Sequence, residues 1–233
     1  MTIRLAVFDM AGTTVDDSGD AVATAVCEAL SAAGHLFPLE AVNEVMGMPK
    51  PLAVAHLLRA GGEDPSDERI GAVHADFQQR MVRHYQTDPG VREFEGAEEA
   101  FAELRAAGIH VALDTGFDRV ITDAILERLG WAIGEQIDDS ITSDEVENGR
   151  PYPDMIYALA ERCGVTDMQE VAKIGDSMSD IEQGVAAGCG LIAAIVGART
   201  EEGLEMYQDV LAVRSLSEFV AAATGRSADA KVA

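Results

Sequence analysis

Five stretches of this 233-residue chain bring together residue types that can do chemistry. In the first, the apolar run Leu5-Ala6-Val7-Phe8 stops at Asp9, and Met10-Ala11-Gly12-Thr13-Thr14 then turns the chain. A carboxylate at the carboxyl end of a buried parallel strand sits where open α/β sheets bind ligands, and it can act there as a nucleophile or a metal ligand. The second, Leu113-Asp114-Thr115-Gly116, again ends a strand-like run in polar groups. The third, Asn148-Gly149-Arg150-Pro151-Tyr152-Pro153, carries a guanidinium, a planar fork for phosphoryl oxygens that stays charged at any working pH. The fourth is Lys173-Ile174-Gly175-Asp176-Ser177-Met178-Ser179-Asp180. Asp9, Asp176 and Asp180 massed at one place would repel unless a cation joined them, and an all-oxygen set suits magnesium.

The fifth stretch is Met46-Gly47-Met48-Pro49-Lys50-Pro51. Pro51 suits a first helical position and makes Lys50 extended, so Lys50 is expected at the mouth of a helix N-terminus. An ordinary lysine, with a pKa of about 10.4, is almost wholly protonated at pH 7, and bringing it to neutrality takes about 4 kcal/mol. The helix dipole contributes about 1 kcal/mol, so burial or Arg150 must supply the rest. His56, two turns further along, reads as a helix-face residue.

The elements that position these groups follow from periodicity and breakers. Residues 21–30, 39–45, 52–59 and 66–85 read as helices, the last with Ile70, Val73, Phe77 and Met81 on one face. Gly34 and the Gly61-Gly62 pair act as stops, and no strand pattern occurs between residues 20 and 86. Beyond Gly96 the pattern alternates. Helices are expected over 97–107, 119–129 and 154–163, and after Asp180 as far as Ala187. Strands are expected over 109–114, 136–142, 171–174, 190–196 and 210–213. Asp167 with Glu170 and Ser215 with Glu218 have capping-box spacing. The expected architecture is an α/β, Rossmann-like doubly wound parallel sheet with an all-helical cap inserted after the first strand. The core is expected from residues 1–17 and 93–225, the cap from 18–92, and a disordered tail over 226–233.

Composition narrows the partners. Hydrophobic residues make up 48% and charged residues 25%, the profile of an ordinary globular protein. A net charge of -24 argues against nucleic acid and anionic membrane. Three widely spaced cysteines, Cys27, Cys163 and Cys189, fit a reducing compartment and no zinc motif, so a cytoplasmic location is expected. The apolar face of residues 21–30 permits a homodimer.

Asp9-x-Ala11-Gly12-Thr13 after a first strand, with the later motifs in this order, resembles the haloacid dehalogenase superfamily of aspartate-nucleophile hydrolases. The resemblance implies that Asp9 attacks phosphorus and forms an aspartyl-phosphate. It places Thr115, Gly116 and Arg150 on the phosphoryl oxygens. It gives Asp9, the backbone carbonyl of Ala11 and Asp176 to magnesium, with Asp180 behind them orienting water or backbone. Ala11 stands where the superfamily usually has a second Asp, which protonates a departing alkoxide. Alanine cannot do so. That replacement, Arg150 in place of the usual Lys, and Met46-Gly47-x-x-Lys50 resemble the phosphonatase branch, the phosphonoacetaldehyde hydrolases and their relatives.

Cleaving a carbon–phosphorus bond needs an electron sink, and an iminium between a lysine and an adjacent aldehyde is one. The resemblance makes Lys50 that lysine and a small phosphonate the substrate, phosphonoacetaldehyde or a close 2-oxoalkylphosphonate. The chain departs from the branch at Ala53 (His there), Phe117 (Tyr) and Met10 (Trp). The alternatives are a phosphatase acting on a small phosphate monoester and, from another class, a phosphate-sensing or non-catalytic binding module.

Overall fold

A computed structural model describes residues 2–45, 48–196 and 203–226. The chain opens with β1 (Leu5–Asp9), β2 (Val15–Asp16), α1 (Ala21–Ala32), α2 (Leu39–Asn43), α3 (Lys50–Ala60) and α4 (Asp67–Thr87). It continues through β3 (Arg92–Glu93), α5 (Ala97–Ala106), β4 (His110–Thr115), α6 (Arg119–Leu129), β5 (Asp139–Thr142) and α7 (Asp154–Arg162). It closes with β6 (Val171–Gly175), α8 (Met178–Ala187), β7 (Leu191–Ile195), β8 (Val210–Val213) and α9 (Leu216–Ala223). Met46 and Gly47 of the lysine stretch, and nearly all of the tail, lie outside the described residues.

Six strands form one parallel sheet in the order β5-β4-β1-β6-β7-β8. β1 lies near its centre, and both its faces are buried. Ala6 and Phe8 face one apolar cluster, Leu5 and Val7 the other, which is why the run is apolar without alternation. Phe8 meets Phe101 and Phe219 edge-on, with centroids 5.3 and 5.2 Å apart. The cluster on the Phe8 side runs without a break from α5, α6 and α9 into α1, α3 and α4. The register of β1 with β4 sets Asp9 beside Asp114. The carboxyl ends of β1, β4 and β6 therefore open onto one crevice, where a sheet of this order binds ligands.

The structure revises the sequence reading in four places. The helix at the lysine begins at Lys50 itself, with Pro49 as its extended N-cap and Pro51 inside the first turn. A first-turn N–H has no intrahelical acceptor, so a proline costs nothing there. β5 starts at Asp139, because the preceding residues form a turn in which Gly134 N–H donates to Ile137. At the last helix Ser215 caps Glu218 as expected, but the Glu218 carboxylate accepts from Arg214 N–H and not from the cap residue. β2 and β3 form an antiparallel ribbon that the sequence reading lacked. It joins the two places where the chain enters and leaves the α1–α4 segment, and two-residue strands carry no periodicity to read.

The apolar face of α1 packs against α4, α2 and α3 of the same chain. Among the described residues, no helix is long and apolar enough to cross a membrane. Cys27, Cys163 and Cys189 are free thiols.

Candidate active site

Asp9 is the last residue of β1 and is buried, 3% exposed. The turn after it is held by Thr14, whose hydroxyl donates to the Asp9 carbonyl at 2.9 Å, while the Thr13 hydroxyl donates to Asp9 Oδ2 at 3.3 Å. Gly12 has φ +87, and a Cβ there would lie 2.3 Å from Asp176 Oδ2. Only glycine lets the two acidic loops approach this closely. Gly175 plays the same part at the end of β6, where a Cβ would stand 2.2 Å from the Asp180 carboxyl carbon.

Carboxylate oxygens of Asp9, Asp176 and Asp180 all lie within 4.8 Å of one another. Two cations meet them. Arg150 Nη2 is 2.8 Å from Asp9 Oδ1, and its Nη1 pairs with Asp180. Lys173, wholly buried in β6, pairs with Asp114 and lies 3.0 Å from Asp180 Oδ1. Asp180 also accepts from the Ser177 hydroxyl at 2.5 Å.

Burial pushes the Asp9 carboxyl up to about 7, with Asp180 and Asp176 adding to the rise and Arg150 opposing it. Burial acts on Asp180 in the same sense, yet Arg150 and Lys173 outweigh it and hold that carboxyl below the usual range. Burial would lower Lys173, but Asp114 and Asp180 keep its ammonium above the ordinary lysine value.

Four carboxylates (Asp9, Asp114, Asp176, Asp180) outnumber Arg150 and Lys173, the cations seen paired with three of them. That balance, with an all-oxygen donor set, fits a hard divalent cation. The Ser179 hydroxyl lines the same cavity and is buried with no hydrogen-bond partner among the described residues, as expected beside a site that receives a polar group.

These groups line a cavity of about 680 Å³ together with Ala11, Lys50, Thr115 and Gly116. Of the residues that the family resemblance gave a role, only Asp180 does not line it; Asp180 is buried. Lys50 comes from the first turn of α3 and is buried, 8% exposed. Thr115 Oγ accepts from Phe117 N–H at 3.1 Å, so its own proton is left to donate. His56 lies on α3, the helix-face position read from the sequence, and is exposed. Ala53 and Met10 are fully buried in the apolar cluster, and Phe117 packs against Tyr85.

Three participants escaped the sequence reading. Lys173 and Asp114 form the buried pair under the chamber. A charged residue inside an otherwise apolar central strand signals such a partner. The third is His74 of α4, whose Nε2 lies 3.7 Å from Asp118 Oδ2 and whose ring stacks on Phe77. It shares a cavity wall with Lys50. Burial chiefly, and the Lys50 charge in part, lower its pKa, against the pull of Asp118. The packing of α3 against α4 sets Lys50 and His74 on one wall, and no local pattern in the sequence shows this.

Residues 3–188 match the model of the haloacid dehalogenase-like hydrolases, and the chain belongs to this family, an enzyme family of hydrolases. Within it, the chain is 29% identical to the phosphonoacetaldehyde hydrolase of Bacillus cytotoxicus, over 94% of this chain and 87% of that one. It is 30% identical to a phosphonoacetaldehyde hydrolase of Bacillus cereus, over 88% and 80%. The fold is shared with a phosphonoacetaldehyde hydrolase-like protein of Oleispira antarctica (TM-score 0.78, 20% identical, 100% and 96% covered). It is shared equally with CbbY of Rhodobacter sphaeroides, solved in complex with phosphate (TM-score 0.79, 23% identical, 94% and 96% covered).

Proposed function

We propose that this hydrolase cleaves the carbon–phosphorus bond of phosphonoacetaldehyde or a close 2-oxoalkylphosphonate, with Lys50 and Asp9 as its two covalent groups. One observation carries the reading: a buried lysine shares a chamber with the strand-end aspartate, while the position two residues after that aspartate is alanine. An ester phosphatase lacking an acid at that position has no donor for its leaving group there, whereas an iminium needs none.

In this mechanism the Lys50 amine adds to the substrate carbonyl, and loss of water gives an iminium one carbon away from phosphorus. Asp9 attacks phosphorus, the carbon–phosphorus electron pair moves into the iminium, and a neutral enamine departs. Water then releases phosphate from Asp9. The enamine takes a proton at carbon and is hydrolysed from Lys50, so the net reaction consumes one water. Arg150, Thr115 and the amide at Gly116 hold the phosphoryl oxygens. Arg150 already spans Asp9 and Asp180, which fixes its fork over the attacking carboxylate.

His74 supplies the proton transfers of iminium formation. Magnesium would be held by Asp9, Asp176 and the Ala11 carbonyl, and when bound it neutralises charge between the nucleophile and the phosphoryl group. Asp180, occupied by two cations, supports the site from behind. The α1–α4 segment, residues 18–92, would act as the cap over a core of residues 1–17 and 93–225, with the β2–β3 ribbon at the crossing.

The competing reading is a phosphatase acting on a small phosphate monoester. Lys50→Ala separates the two. Our reading expects phosphonoacetaldehyde turnover to fall below detection. Full retention of phosphate release by the variant would mean ester chemistry.

A further inference from the structure

The chamber around Asp9 is one of two joined lobes. The second, of about 630 Å³, shares Lys50, Phe117 and Arg150 with it as lining residues. Asp9, Thr115 and Asp176 line only the first. The walls of the second are apolar: Pro51, Leu52, Phe77, Pro151 and Tyr152 contribute alongside Phe117. Its acidic side chains are Asp118, Asp144, Glu147 and Glu182, and its lysine and arginine, among the described residues, are the two shared with the first lobe.

Phosphonoacetaldehyde has nothing to place there. Its phosphorus belongs at Asp9 and its carbonyl carbon at Lys50, and one methylene joins them. A larger substrate can extend from the remaining bond on the carbonyl carbon, and Lys50, to which that carbon would be joined, lines the second lobe as well. A cavity of this size is on the scale that holds a drug-sized group. Four carboxylates make it hostile to an anion and leave it open to a neutral chain. On the Schiff-base reading above, we propose that the preferred substrate is a 2-oxoalkylphosphonate, R–CO–CH2–PO3, whose uncharged, apolar R group of several carbons fills this second lobe. The chemistry is unchanged. The carbon–phosphorus bond breaks, an Asp9 oxygen–phosphorus bond forms and is hydrolysed, the freed carbon takes a proton, and the products are the methyl ketone R–CO–CH3 and phosphate.

The test is a series at constant ketone chemistry: 2-oxopropylphosphonate, 2-oxoheptylphosphonate, and an analogue of similar length ending in a carboxylate, with phosphonoacetaldehyde as the reference. kcat/KM is expected to rise about tenfold or more from the propyl to the heptyl compound, the usual return on filling an apolar pocket. It should fall at least as far when the chain ends in a carboxylate. Leu52→Trp, at an exposed wall position, should cut the heptyl-to-propyl ratio about tenfold. Glu147→Lys, equally exposed, should raise turnover of the carboxylate analogue selectively. A flat or falling series with phosphonoacetaldehyde still cleaved overturns this inference and leaves the Schiff-base reading standing. If no phosphonate, the aldehyde included, is cleaved, both fall together.

Discussion

Lys173 shows how much of this site rests on residues that touch no substrate. Its ammonium sits in the middle of β6, wholly buried, and two carboxylates keep it charged. Removing it with Lys173→Met would strand Asp114 in the interior and take one of two cations from Asp180, and the expected loss is about 3–5 kcal/mol in urea unfolding. His74 gives a prediction of a different kind. Its pKa is lowered in the folded protein, so the unfolded chain binds the proton first as pH falls. The stability of the native protein relative to His74→Gln should therefore be full above the ordinary histidine value and diminish below it. Paired unfolding measurements at pH 7.5 and 5.5 would show this, and a difference that grew on acidification would contradict it. The same variant should lower kcat/KM on phosphonoacetaldehyde about a hundredfold, within the range of a lost acid–base group.

At the scale of elements, the motif loops work by glycine geometry as much as by side-chain chemistry. Gly12→Ala places a methyl group against Asp176 in a left-handed backbone conformation. The expected cost is about 2 kcal/mol or more of stability, together with weakened metal binding, read by calorimetric titration. Much of this layer was legible before the fold was known. Asp9, Thr115 and Asp176 each follow a continuous buried run, and such runs end where parallel sheets place their ligands. Helix ends were readable where a side chain supplies the cap, as Ser66, Asp118 and Ser215 do. Illegible features were those without local periodicity. The β2–β3 ribbon has two residues a side, and the His74–Asp118 pair joins α4 to the N-terminus of α6. Lys173 lay in plain view, inside a quoted motif, and its partner Asp114 was fixed by strand register.

Across the whole molecule, a chain of net charge -24 gathers its few cations where they count. Arg150 and Lys173 converge on one cluster in which the carboxylates outnumber them. Magnesium should therefore raise the Tm, by mass action on the native state alone. Asp176→Asn should abolish that rise. A Tm indifferent to magnesium in the unmutated protein would remove the cation from the account.

The central claim joins Lys50 and Asp9 in one reaction, and its most direct test is chemical trapping. The protein is incubated with phosphonoacetaldehyde and borohydride, and the digest is read by mass spectrometry. The account predicts an ethyl adduct, the reduced imine of the acetaldehyde product, on the peptide containing Lys50, with activity lost in proportion. An unmodified Lys50 peptide after turnover in the presence of borohydride would contradict it.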